Sequence, residues 1–109
     1  MFDIINIKSD FNKIISESNI PVIVKFFATW CGPCKMIAPA FEKLSQEFEK
    51  QVRFIEIDVD DCDGIAGNYY VSSVPTFIIF KNGEEFNRTS GALGYEQLEN
   101  FIKSATAVI

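Results

Sequence analysis

Apolar side chains recur along this chain in two rhythms, and the places where one gives way to the other mark its elements. From Pro33 the rhythm is helical: Met36, Ile37, Ala40, Phe41, Leu44 and Phe48 fall on one face, with Lys35, Glu42, Lys43, Glu47 and Lys50 on the other. That spacing is the signature of an amphipathic helix. Pro33 fits a first helical turn, whereas Pro39 removes an interior hydrogen bond and predicts a bend. Immediately upstream, Val22, Ile23, Val24, Phe26, Phe27 and Ala28 follow Pro21 in a nearly unbroken apolar run, which suits a central strand covered on both faces. Lys25 interrupts it.

The remaining elements are shorter. Asp3 to Lys8 is a β-branched run fit for a strand, and Ser9 is placed to cap a helix from Asp10 to Glu17 with Phe11, Ile14 and Ile15 as its stripe. Val52 to Val59 reads as a strand parallel to the earlier one, because the long helix between them makes a right-handed crossover natural. Asp60 and Asp61 can cap a short helix running to Asn68. Thr76 to Lys81 and Glu85 to Ser90 flank Asn82-Gly83, a pair that favours the type I′ turn of an antiparallel hairpin. A last helix over 95–104 carries Leu98, Phe101 and Ile102 on one face. The order β-α-β-α-β-α-β-β-α predicts an α/β fold, a mixed sheet with helices on both faces.

Composition narrows this outline. A chain of 109 residues supports one domain, 1–109, and its 48% hydrophobic content with eleven Phe fills a core without help from a metal. A net charge of -5 argues against nucleic acid or an anionic membrane as partner. No stretch reaches transmembrane length, and the first residues lack the basic and apolar regions of a secretory leader, so the cytoplasm is the expected compartment. Three cysteines do not make a secreted disulfide framework. With no His, zinc would need Cys31, Cys34, Cys62 and a carboxylate or a second chain, so no metal is expected.

The chemistry concentrates at Trp30-Cys31-Gly32-Pro33-Cys34, at the C-terminal end of the apolar strand, where open α/β sheets commonly place their sites. Two cysteines on the first helical turn share a face, close enough to exchange a disulfide for a dithiol with little backbone movement. A bridge closing so short a loop removes little entropy from the unfolded chain, so the pair reads as redox chemistry rather than a staple. Cys31 faces unpaired N-H groups at the helix start, which favour thiolate, and is the candidate nucleophile. Cys34, one turn in and less accessible, is the candidate resolving thiol. Gly32 allows close backbone approach and Pro33 stiffens the loop. Trp30 reads either as core or as a platform at the site rim. Val74-Pro75, just before a strand, is either an ordinary strand start or, if cis, a segment whose free Val74 backbone groups bind an extended peptide.

Trp-Cys-Gly-Pro-Cys-Lys at 30–35, Val-Pro-Thr at 74–76, Phe-Lys-Asn-Gly at 80–83 and Ser-Gly-Ala at 90–92 together resemble the thioredoxin family over essentially the whole chain. Residues 28–37 and 58–62 look most similar to its eukaryotic cytosolic type. The resemblance implies a thioredoxin fold, a five-stranded mixed central sheet flanked by four helices, with strands in the order first, third, second, fourth, fifth. It implies a cis bond at Pro75 packed against the dithiol, and a substrate groove lined by Trp30, Gly32, Pro33, Val74, Pro75, Gly91 and Ala92. Gly-Pro between the cysteines is the family's reductase-like spacer. The implied protein is a monomer with no bound cofactor beyond a redox-active Cys31–Cys34 disulfide. Its implied partners are disulfide-containing proteins, peroxiredoxins, and an NADPH-dependent, flavin-containing thioredoxin reductase as electron donor.

Two positions depart from the pattern. Lys25 stands where thioredoxins usually carry a buried Asp beneath the dithiol that relays the proton of the second cysteine. A buried lysine needs a partner; Glu56 and Asp58 are the candidates, and snorkelling to solvent is the alternative. If near Cys34, Lys25 is expected to tune the site by charge attraction on the thiols. Cys62 reads as a packing residue or a site of regulatory oxidation, since the positions that pair with it or dimerise in some animal thioredoxins are Tyr69 and Ser73 here. The expected function is a protein-disulfide reductase. A redox-dependent protein-binding module is the alternative.

Overall fold

A computed structural model of the chain describes residues 3–4, 8–61 and 63–106, with the side chains of residues 3, 4, 8, 9 and 63 excepted. The expectations about Cys62 lie outside the described residues. The elements are β1 (Asp3–Ile4), α1 (Lys8–Glu17), β2 (Val22–Phe27), α2 (Gly32–Glu47), β3 (Arg53–Asp58), α3 (Asp63–Asn68), β4 (Thr76–Lys81), β5 (Glu84–Ser90) and α4 (Tyr95–Thr106).

The unbroken apolar run occupies the sheet centre, as its composition requires. β2 pairs in parallel with β3 and antiparallel with β4, giving the order β1-β3-β2-β4-β5. Alternation along the strands then divides the core in two. Val24, Phe26, Ile57 and Phe80 face Phe11 and Ile15 of α1. Ile23, Phe54, Phe77 and Ile79 face Phe41 of α2 and Leu98 of α4. Burying each such side chain contributes about 1.5–3 kcal/mol, so both layers bind the sheet tightly. On the second face, Lys25 takes its turn between Ile23 and Phe27 and is carried beneath α2.

The hairpin forms where Asn82-Gly83 predicts it, with positive φ at both residues, 56° and 82°. The first strand departs from expectation. Four strands are full length, and the expected fifth, over Asp3 to Lys8, is a two-residue edge piece, Asp3–Ile4. Lys8 instead opens α1, so Ser9 lies inside the helix and is not its cap. Burial of Phe11 anchors that first turn, and Lys is a good helix former that extends it toward the N-terminus. In α2, Ile37, Phe41 and Leu44 are buried as expected, but Met36 is 82% exposed. Successive helical residues point about 100° apart, and a stripe centred on Ile37 and Phe41 turns Met36 outward. Pro39 lies on the exposed side of α2, which continues through it to Glu47. Among the described residues, no helix is long and apolar enough to cross a membrane.

Candidate redox site

β2, the central strand, ends at Phe27, and a tight turn follows in which the Cys31 N-H donates to the Ala28 carbonyl, 3.2 Å. Cys31 is the N-cap of α2, in extended conformation, and its Sγ accepts the Cys34 backbone N-H at 3.1 Å. The sulfur therefore satisfies one of the donors that a helix start leaves free, which stabilises negative charge on it. Cys31 and Cys34 are joined as a disulfide, with Cα atoms 5.3 Å apart. The expected difference in accessibility is absent: Cys31 is 4% exposed and Cys34 3%. Both pack in one small cluster with Ala28, against Phe27, Val59 and Val74. What separates them is the helix start, where Cys31 sits outside the first turn and Cys34 within it. Gly32 and Pro33 between them are exposed.

Opposite the dithiol lies the segment before β4. The Val74-Pro75 bond is cis, and the Val74 carbonyl oxygen is 3.6 Å from Cys31 Sγ. Pro75 is buried, and its carbonyl accepts the Gly91 N-H at 3.0 Å, which sets residues 91–92 beside it. Gly91 has φ +95°, a conformation that side chains with a Cβ rarely adopt. Four of the expected groove residues line two shallow depressions, neither bordered by Cys31 or Cys34, while Gly32, Pro75 and Gly91 line neither. Trp30 and Val74 line one of about 130 Å³ with Val59 and Val71. Pro33 and Ala92 line another of about 470 Å³ with Met36, Leu93 and Tyr95.

Trp30 is not core: it is 69% exposed, and its Nε1 donates to Asp60 Oδ2 at 2.8 Å. The sequence pattern marks Asp60 only as a helix cap. The signal for its role is its position just beyond β3, the neighbour of β2, which places it beside the loop holding Trp30.

Lys25 is resolved as follows. Its Nζ lies 2.7 Å from Glu56 Oε2, its side chain is 3% exposed, and the ammonium sits over the rings of Phe27 and Phe41 at 5.3 and 5.1 Å. The parallel register that sets Lys25 against Glu56 explains the choice of partner. Asp58, the other candidate, instead accepts the Asp60 backbone N-H at 2.9 Å, and snorkelling is ruled out by burial. Lys25, Glu56 and Cys34 border one cleft of about 260 Å³. Among the described residues, no group of three or more His, Cys, Asp or Glu is placed to hold a metal ion.

Comparison with known proteins agrees with this geometry. The family model described as thioredoxin matches residues 3–104. The chain is 42% identical over 94 residues to thioredoxin of Haemophilus influenzae, covering 86% of this chain and 88% of that one. It superposes on Malassezia sympodialis thioredoxin with a TM-score of 0.90 at 35% identity, covering 98% of this chain and 92% of that one. A further similar structure, with a TM-score of 0.86 and 35% identity over 94% of both chains, comes from work on thiol resolution in yeast mitochondrial 1-Cys peroxiredoxin via glutathione/thioredoxin systems.

Proposed function

The chain belongs to the thioredoxin family and is a protein-disulfide reductase, and from that premise we propose that Cys31 is its nucleophile and Cys34 its resolving thiol. The observation that carries this division is the N-cap position of Cys31, whose sulfur accepts the Cys34 N-H. In the reduced protein, the Cys31 thiolate attacks one sulfur of a target disulfide, and the other target sulfur leaves as a thiolate that takes up a proton. Cys34 then attacks Cys31 Sγ, the bond from Cys31 to the target breaks, and the Cys31–Cys34 disulfide forms. The target gains two electrons and the chain loses two.

The groove reading follows from the same geometry. An extended target strand would lie between Trp30 and the Val74-Pro75 segment, using backbone groups at Val74 and at Gly91-Ala92. Gly32 and Pro33 shape the exposed approach to the disulfide, and Lys25 tunes the thiols from beneath. Residues 1–109 act as one thioredoxin domain and as a monomer, without nucleic acid, membrane or bound cofactor. An NADPH-dependent thioredoxin reductase recharges the disulfide, and peroxiredoxins are among the targets. The peroxiredoxin work that yielded one of the similar structures supports that last choice. The cytoplasm is the proposed compartment, because a dithiol that must be re-reduced needs a reducing pool. The eukaryotic cytosolic type is the finer placement, resting on residues 28–37 and 58–62.

Insulin disulfide reduction tests the assignment. Cys31→Ser abolishes turnover, and Cys34→Ser accumulates mixed disulfides with the target. Activity surviving Cys31→Ser would refute it.

A further inference from the structure

The resolving step leaves a proton to be placed. Cys34 is 3% exposed, and it must lose its thiol proton before it can attack Cys31. A buried sulfur cannot hand that proton directly to bulk water, so a neighbouring acceptor controls the step. Cys34 borders the 260 Å³ cleft beneath α2, and among the described residues that line it Glu56 is the one carboxylate. Lys25 and Lys35 are the other charged groups on its wall, from β2 and α2, while Asp58 on β3 is engaged with the Asp60 N-H. The cleft is roomy enough for several waters, each of which takes about 30 Å³.

Glu56 is built for this position. Its side chain keeps 14% of its surface exposed, and Oε2 is held 2.7 Å from Lys25 Nζ. Lys25 has no other described ion-pair partner, and its ammonium sits over the rings of Phe27 and Phe41. A buried ion pair adds little net stability compared with apolar side chains of the same volume. Its placement on the wall shared with the resolving cysteine gives it a use.

We propose that Glu56 is the proton acceptor for Cys34 across this cleft and that Lys25 is the positioning residue that holds the carboxylate there. The inference deepens the reductase reading and rests on it. In the mixed disulfide, the Cys34 S-H proton passes through cleft water to Glu56. The Cys34 electron pair forms the bond to Cys31 Sγ, and the Cys31–target bond breaks onto the target sulfur. Glu56 afterwards releases the proton to solvent, from which the target thiolate is protonated. No oxidant or metal is required.

Rapid mixing of the reduced protein, carrying Cys62→Ser in every variant so that only Cys31 and Cys34 release coloured thiolate, with dithiobis-nitrobenzoate, an aromatic disulfide, separates the two steps. The first release reports attack by Cys31 and the second reports resolution by Cys34. The expected result for Glu56→Gln is a second release slowed about a hundredfold or more, the lower end of general-base effects, with the first release within about twofold of wild type. Its second release should climb about tenfold per pH unit where the wild type levels off, as specific hydroxide takes over. Glu56→Asp should restore most of the rate. Should Glu56→Gln fold poorly with Lys25 unpaired, Lys25→Met/Glu56→Gln removes both charges and carries the same expectation for the second release, with no constraint on the first because Lys25 also tunes the thiols. A second release within about twofold of wild type in either variant overturns the proposal. Loss of the first release in Glu56→Gln would also overturn it, as the mark of a general structural role. A wild type that shows no first release would instead overturn the reductase reading on which the proposal stands.

Discussion

The indole Nε1 of Trp30 donates a 2.8 Å hydrogen bond to Oδ2 of Asp60, although the ring itself is 69% exposed. An exposed aromatic has little packing to fix it, so this bond sets the ring's angle. Asp60→Ala should leave the fold intact and lower kcat/KM for protein disulfides about fivefold, the loss of about 1 kcal/mol of positioning. Insulin reduction kinetics measured beside thermal unfolding check this. An unchanged kcat/KM would leave the ring's placement without consequence.

The Tyr95 hydroxyl donates to Glu47 Oε1 at 2.8 Å, and this bond to a carboxylate pushes the phenol up to about 12 from 10.0. Burial and the charges of Glu47 and Glu99 add in the same direction. A group whose pKa is raised on folding contributes stability at pH below its unfolded value and loses it as pH rises through the folded one. The contribution should therefore fade between pH 10 and about 12. Following phenolate absorbance, Glu47→Ala should return one tyrosine toward 10.0, and Tyr95→Phe should identify that tyrosine by its absence.

Arg88 fastens the outer strand to the loop before β4. Its Nη2 donates to the Tyr69 carbonyl at 2.7 Å, and Nε and Nη2 donate to the two Glu85 oxygens at 2.8 Å. The hydrogen bond from Arg88 lowers the Glu85 carboxyl below 4.5, against a smaller opposing effect of burial. A lowered carboxylate contributes stability above its unfolded pKa, and that contribution is lost as pH falls through the folded value. The pair is largely solvated, so its pH-dependent share is about 0.5 kcal/mol or less. Urea unfolding of wild type against Arg88→Met should show a difference that shrinks below pH 4.5. It should not vanish, because the bond to the Tyr69 carbonyl does not titrate.

Lys25 beneath the dithiol gives a fourth test. Its ammonium and Cys34 share one cleft, and a cation near a thiol favours the thiolate. In the reduced protein, Lys25→Ala should shift the pH profile of thiol alkylation upward. Superimposable profiles would remove Lys25 from the tuning of the site, whatever its part in holding Glu56.

Much of this arrangement was legible in the chain because local chemistry decided it. The unbroken run at β2 had to be central, Asn82-Gly83 had to turn, and Cys31 at a helix start had to meet free N-H groups. What was hidden depended on register between distant strands. That Glu56 and not Asp58 pairs with Lys25 follows from a one-to-one parallel alignment of β2 with β3, which no periodicity encodes. The Trp30–Asp60 bond is hidden for the same reason, since it joins the ends of the two strands. The short β1 and early α1 reflect a boundary where a strand-like run and a helix anchor at Phe11 compete for the same residues.

The helical stripe of α2 gives the last test, because sequence put Met36 and Phe41 on one face and the structure separates them. Phe41 is fully buried, with its ring edge-on to Phe54 at 5.2 Å and tilted to Phe77 at 5.9 Å. Phe41→Ala should cost about 3–5 kcal/mol, the transfer loss plus the cavity it leaves. Met36 is 82% exposed and borders the groove with Pro33 and Ala92. Met36→Ala should change stability by no more than about 0.5 kcal/mol. Its effect should appear in function, as a roughly threefold rise in KM for protein disulfides, the loss of about one methylene's worth of contact with the target. Urea unfolding and insulin reduction measured on both variants separate the two roles. A Met36→Ala protein destabilised like Phe41→Ala would restore Met36 to the core face that the periodicity alone gave it.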